Sequence, residues 1–260
     1  MSKPVGLVPA AGRGVRFGAA GYAKELFPLL LTGGDEDAPL APRPLCELTL
    51  RAIERAGAAR CVVLVSPDKA DLLRVLGHRD QGALPLGYVV QADPQGLPHA
   101  VRCARPWLGD SDVVFAMPDT IILPGDALAT VHARRVQEGA DLALGVFPVD
   151  EPERLGPVEL DPAGHVVRIL DKPGTTTLTN SWGVASWSAT FTDFCCAWDE
   201  RMQHERAERV IGDVFEAARA EGLKVVATEF SEGRMLDVGT PAGLRTALRA
   251  LAERGVVDAL

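Results

Sequence analysis

The chain has 260 residues, 47% of them hydrophobic and 24% charged, enough to bury the core of one large globular domain or two small ones. Its 27 basic and 35 acidic residues leave a formal net charge of -8, which argues against a general nucleic-acid or acidic-membrane surface, so any anion must be bound locally. Its cysteines (Cys46, Cys61, Cys103, Cys195 and Cys196) show no C-x-x-C pairing or zinc-like spacing, and no apolar run reaches the ~18 residues of a membrane span; a cytoplasmic protein is expected.

Apolar runs alternate with amphipathic segments along the first half of the chain. Strands are expected at 5–10 (VGLVPA), 61–66 (CVVLVS), 86–91 (LGYVVQ), 112–119 (DVVFAMPD) and 141–149 (DLALGVFPV). Helices such as CELTLRAIERAG and LATVHARRVQEG lie between them, an order that predicts a mainly parallel sheet. The segment LTGGDEDAPLAPRP at 31–44 has the composition of a linker-like loop, and its run Asp35-Glu36-Asp37 would repel an anionic substrate, which places it away from bound phosphate.

Near residue 150 the texture changes. Asp161-Pro-Ala-Gly164 separates two alternating runs as the turn of a hairpin would. Beyond it, ERAERVIGDVFEAARAEG reads as a helix and LKVVATEF as a strand; TPAGLRTALRALAERG reads as a helix with Thr240 as its N-cap and Pro241 in its first position.

The stretch LVPAAGRGVRFGAAGYAKELFPL, from Leu7 to Leu29, concentrates glycines and basic residues directly after the first strand. A dinucleotide fingerprint fits at Gly12 and Gly14 but fails at Phe17, with Gly18 one residue late, and no Gly-Lys-Ser/Thr ends a P-loop. What remains is a glycine-rich turn followed by Arg16 and Lys24. Glycine lets backbone N–H groups approach phosphate oxygens, and arginine and lysine supply a planar fork and a compact charge, so a nucleoside triphosphate is a plausible occupant.

Five blocks, AAGRGVRFG...AKELFPL, VVQADPQGLPHAV, MPDTII, LGPVELDPAGHVVRILDKP and LDVGTPAGLRTAL, stand in the order found in sugar-1-phosphate nucleotidyltransferases. The chain resembles that family, in its glucose-1-phosphate thymidylyltransferase and uridylyltransferase branch, from Val5 to about Leu248. The resemblance implies a three-layer α/β/α Rossmann-like fold: a mixed, mainly parallel sheet with a small sugar-binding β subregion. It also implies one domain over 1–260, with a nucleotide-binding half (1–150), a sugar-phosphate-binding half (151–240) and a C-terminal helix (241–260).

The implied reaction joins a pyrimidine nucleoside triphosphate, dTTP or UTP, to a sugar 1-phosphate and releases pyrophosphate, with Mg2+ as cofactor. By similarity, Arg16 holds the leaving phosphates, Lys24 stabilises charge on the α-phosphate, and Asp119 and Asp237 hold the metal, which favours hard oxygen ligands. Ala10, Ala11, Gly12 and Gly14 lie beside the nucleotide, and Gln91 and Gly96 meet the base. Gly156, Asp171, Lys172 and Asn180 meet the sugar phosphate.

The chain departs from the family at Ala23-Lys24 for Pro-Lys, Pro118-Asp119 for Gly-Asp, and Asp171-Lys172-Pro173 for Glu-Lys-Pro; the last shortens a sugar-contacting carboxylate. Trp182, Trp187 and His99 are expected to be structural, although Trp182 could wall a sugar site near Asn180. Other readings of the same fold are a catalytically silent nucleotide-sugar sensor and a cytidylyl- or guanylyltransferase. Expected partners are the two small substrates, with neither nucleic acid nor membrane; a homo-oligomer is compatible with the sequence.

Overall fold

A computed structural model describes residues 2–12, 23–31, 41–77, 83–204 and 209–253. Seven strands form the central sheet in the order β12-β8-β11-β6-β1-β4-β5. They are β1 (Val5–Pro9), β4 (Arg60–Val65), β5 (Leu86–Val90), β6 (Val113–Ala116), β8 (Leu142–Pro148), β11 (Asn180–Trp187) and β12 (Val225–Glu229). β11 runs antiparallel to β6 and β8, while the remaining pairings are parallel. The sheet is therefore mixed and mainly parallel, as expected.

Alternation along the strands explains the layers. Leu7, Val62, Val113 and Leu142 point to one face and join a core with α3 (Leu97–Leu108), α5 (Ala189–Arg201) and α6 (Ile211–Ala220). Val8, Val63, Val114 and Ala143 point to the other and pack with α1 (Cys46–Arg55), α2 (Ala70–Leu76) and α4 (Ala127–Glu138). Strands buried on both faces read as continuous apolar runs, which is why they were legible. Fully buried Phe115, Trp187, Phe191 and Phe215 weight the first core, each worth about 1.5–3 kcal/mol of transfer free energy before ordering costs.

Three two-stranded sheets complete the fold. β9 (Val158–Leu160) and β10 (Val166–Ile169) form the expected hairpin; Asp161 caps its turn by accepting the N–H groups of Ala163 and His165 at Oδ1. β7 (Thr120–Leu123) pairs antiparallel with β13 (Arg234–Asp237), and β2 (Pro28–Leu31) with β3 (Ala41–Pro44). A third, smaller core of Leu29, Leu45, Leu48, Ile121, Val238 and Ala247 joins the β2–β3 and β7–β13 pairs to α7 (Pro241–Glu253), while Val158 and Ile169 of the β9–β10 hairpin join the first core.

Several expectations need correction. The ends of the 31–44 segment are paired strands rather than linker, because Ala41–Pro44 pairs with Pro28–Leu31; residues 32–40, including the acidic run, lie outside the described residues. The run 112–119 is not one strand: it ends at Ala116, and the chain restarts as β7 in a different sheet. The helix expected from 205 is described from Ile211, since Val210 is extended and Arg209 bridges to Gly96; residues 205–208 lie outside the described residues.

Candidate active site

The glycine loop leaves the sheet at the carboxyl end of β1, where open parallel sheets bind ligands. Ala10 and Ala11 are buried; the Ala10 N–H donates to Leu64 O at 2.9 Å, and its carbonyl accepts from Lys69 Nζ at 2.8 Å. Lys69 also pairs with Glu25 Oε1 at 2.7 Å, and both partners are buried. This ion pair fastens the start of the loop to the segment that carries Lys24. Gly12 is exposed, and no described residue stands where its side chain would, which leaves its backbone open to close approach among the described residues. Gly14 and Arg16 lie outside the described residues.

Lys24 opens a short 3-10 turn (Lys24–Leu26), and its ammonium contacts Asp119 Oδ2. Its side chain is only 12% exposed, so it is not a solvated surface lysine. Asp119, itself buried, follows the carboxyl end of β6. Asp237 ends β13 and stands opposite Thr120 in the β7–β13 register, which brings it beside Asp119 despite the long separation in sequence. Val238 N–H donates to Asp119 O at 2.9 Å, and Gly239 N–H donates to Asp237 Oδ1 at 2.7 Å.

Gly239 locates the convergence. From the point where its Cβ would stand, Asp237 Oδ1 is 2.8 Å away, Asp119 Oδ2 3.3 Å and Lys24 Nζ 3.6 Å. The next turn is equally close: a Cβ on Gly243 would lie 2.1 Å from Asp237 O, so α7 packs directly on the backbone of that acid. Thr240 caps α7 as expected, its Oγ1 accepting from Gly243 N–H at 3.0 Å. Two hard carboxylates meeting at one point suit a magnesium ion, which commonly takes one or two protein carboxylates. No cluster of three or more His, Cys, Asp or Glu ligands occurs among the described residues.

Gln91 follows β5 and is buried; its Nε2 lies 2.8 Å from His99 Nδ1, and His99 Nε2 lies 3.5 Å from Cys103 Sγ. Burial is the largest influence on His99 and lowers its pKa below the usual histidine value. Gly96 is required by the fold: its φ is 105°, and a Cβ there would stand 2.0 Å from Arg209 O. Buried Arg209 also donates to Gln95 Oε1 at 2.7 Å and forms an ion pair at 2.8 Å with Asp199, which is fully buried and accepts from Arg102 at 2.6 Å. The loop carrying Gln91 and Gly96 is thus held from α3 and α5.

The residues expected at the sugar phosphate gather around the β9–β10 hairpin. Gly156 N–H donates to Ser181 Oγ at 3.0 Å and its carbonyl accepts from Trp182 N–H at 3.0 Å. Asn180 exchanges both kinds of hydrogen bond with the Val158 backbone, at 2.9 and 3.0 Å, and so ties β11 to β9. Asp171 places Oδ2 against Gly212 in the first turn of α6, 2.5 Å from a Cβ there. Lys172 is exposed and, among the described residues, is the one non-glycine with positive φ, 43°; its N–H donates to Leu155 O at 2.7 Å. Such backbone strain persists only where surrounding structure imposes it. Trp187 is buried in the core, and Trp182 packs edge-on against Phe215 with its indole nitrogen against Gly156.

Lys69, Glu25, Asp199 and Arg209 went unnoticed in the sequence. Each is a charged residue with no motif of its own, and its importance comes from a partner 44 or more residues away for Lys69–Glu25 and 114 away for Arg209–Gln95. The available signal for Glu25 was its place beside Lys24.

The open, mainly parallel sheet with Lys24, Asp119 and Asp237 beyond the carboxyl ends of its strands is an α/β fold of the kind that binds ligands there. The chain belongs to the nucleotidyl transferase family, whose model matches residues 19–254. It is 25% identical over 248 residues to the low-salt glycan biosynthesis nucleotidyltransferase Agl11 of Haloferax volcanii, covering 92% of this chain and 68% of that one. A glucose-1-phosphate thymidylyltransferase of Streptomyces antibioticus is 31% identical over 156 residues, covering 60% of this chain; the match spans only 43% of that relative's length. In fold, the chain resembles a UDP-glucose pyrophosphorylase from Acinetobacter baumannii, with a TM-score of 0.74, 20% identity, and coverage of 96% of this chain and 93% of the other. No helix among the described residues is long and apolar enough to cross a membrane.

Proposed function

We propose that the protein forms a nucleoside diphosphate sugar and pyrophosphate from a pyrimidine nucleoside triphosphate, dTTP or UTP, and a sugar 1-phosphate. The observation that carries this reading is the meeting of Lys24, Asp119 and Asp237 at one point beside Gly239, at the carboxyl end of the sheet. The family match and the names of the relatives supply the reaction class.

In this reading an oxygen of the sugar 1-phosphate attacks the α-phosphorus in line. The new P–O bond forms as the bond to the bridging oxygen of the β-phosphate breaks, and pyrophosphate carries away the electron pair. The attacking oxygen is already anionic, so the chain needs no general base; its work is positioning and charge neutralisation. Lys24 turns from Asp119 to the α-phosphate oxygens, and Arg16 grips the leaving phosphates. Asp119 and Asp237 would hold Mg2+, which when bound would neutralise phosphate charge. Lys172 supplies the cation for the sugar's phosphate, and Gly156, Asp171 and Asn180 shape the surroundings of the sugar.

A matrix of nucleoside triphosphates against sugar 1-phosphates, scored for pyrophosphate with Mg2+ present, tests the reading. Release with dTTP or UTP that depends on both the sugar phosphate and the metal is the expected result. Tight triphosphate binding without pyrophosphate release from any pair would instead make the protein a nucleotide sensor.

A further inference from the structure

Resting on the assignment of Gln91 to the base, we infer that His99 is a specificity-determining positioning residue: by accepting a hydrogen from the Gln91 amide it fixes the order in which that amide presents its acceptor and donor, and so separates uracil and thymine from cytosine. An amide nitrogen can only donate, so the 2.8 Å contact makes His99 Nδ1 the acceptor. The ring proton then sits on Nε2, toward Cys103 Sγ at 3.5 Å. The Gln91 backbone is fastened independently, its N–H donating to Val65 O at 2.8 Å, and its buried side chain is held at the tip by His99.

The orientation of that amide has chemical consequences. Uracil and thymine carry a donor at ring position 3 and an acceptor at position 4; cytosine carries the reverse. A glutamine amide matches one order or the other according to which branch faces which position, and the two orientations have almost the same shape. Packing therefore cannot choose between them, whereas an imidazole with its proton on Nε2 can, because its Nδ1 then accepts and does not donate. One amide hydrogen is committed to His99, leaving the carbonyl oxygen and the second hydrogen for the base in a fixed order. A buried, unmatched donor or acceptor costs enough to give strong discrimination against the wrong base.

The imidazole can serve this way because burial keeps it neutral. Asp199 on α5 and Asp93 in the base loop favour its proton, while Arg102 on α3 and Arg209 oppose it, and burial outweighs each of them. As pH falls through the lowered His99 pKa, Nδ1 gains a hydrogen and can no longer accept, so base selection should relax on the acid side.

Isothermal titration of UTP, dTTP and CTP with Mg2+, without sugar phosphate, tests the assignment. The wild type should prefer UTP and dTTP. His99→Leu should bring the CTP-to-UTP ratio of Kd down by roughly tenfold or more. His99→Glu, whose carboxylate only accepts, should retain the preference; thermal melts identify any variant that fails to fold, and the acid-side loss of preference in the wild type gives a readout independent of substitution. An unchanged ratio in folded His99→Leu, with the ratio lost in Gln91→Leu, overturns the role of His99 while leaving Gln91 as the base reader. Ratios unchanged in both variants overturn the base assignment itself, as does a wild type that binds CTP and UTP equally.

Discussion

Lys172 combines charge, exposure and a left-handed backbone in one residue, and these can be separated experimentally. Lys172→Ala should raise the KM for sugar 1-phosphate by on the order of tenfold or more while triphosphate binding stays near normal, because one phosphate loses its cation. Lys172→Gly should lose the same affinity yet gain about 1 kcal/mol of stability by relieving positive φ, read from chemical denaturation. Weakened triphosphate binding in calorimetry would assign the lysine to the other substrate. At this scale the blocks AKELFPL, MPDTII and LDVGTPAGLRTAL point in the sequence to Lys24, Asp119 and Asp237, and the fold brings those three together. The pairings were less legible. Gln91 reads in the sequence as an amide facing only the base, and the neighbour that orients it, His99, reads as structural because nothing in QADPQGLPHAV shows that the first turn of α3 brings its ring back to Gln91.

Among the elements, α7 meets the candidate site through its N-terminal turn. Its first turn holds Thr240 as cap and sets Gly243 against the Asp237 carbonyl. Thr240→Ala should cost about 1 kcal/mol, the usual worth of a lost N-cap, with little change in metal requirement. Gly243→Ala should instead raise the Mg2+ concentration needed for half-maximal turnover, because a methyl group 2.1 Å from Asp237 O must push the acid away. Equal metal requirements in the two variants would show that α7 is only a scaffold. The cap was readable because Thr-Pro is a local signal; the strands β7 and β13 were not, since each is 4 residues long and gains its meaning from the other across the fold. The start of α6 was misread for a similar reason. Local propensity favours helix from residue 205, but Arg209 is drawn into an extended bridge by Gly96 and Asp199.

Across the whole molecule, the segments that follow the parallel strands β1, β5 and β6 leave the sheet at its carboxyl end, and ion pairs tie them to the helical layers. Asp199 is the deepest of these ties: fully buried, it faces buried Arg209 and partly exposed Arg102, and Asp199→Ala should cost about 3–5 kcal/mol because it leaves the buried Arg209 cation without its partner. A loss under 1 kcal/mol in denaturant would mean that Arg209 reaches water. The layered class was legible from alternation in the sequence, whereas β11, running against its neighbours through the middle of the sheet, was not, because its register comes from β6 and β8 rather than from its own residues. The central claim is that two acids far apart in sequence act as one metal-holding unit, and a double-mutant cycle in magnesium-dependent pyrophosphate release tests it most directly. Asp119→Asn and Asp237→Asn should each lower turnover by on the order of a hundredfold or more, and the double variant should lose far less than the product of the two factors. If the factors simply multiply, or if Asp237→Asn lowers the melting temperature while magnesium-dependent turnover stays intact, the two-carboxylate site is contradicted.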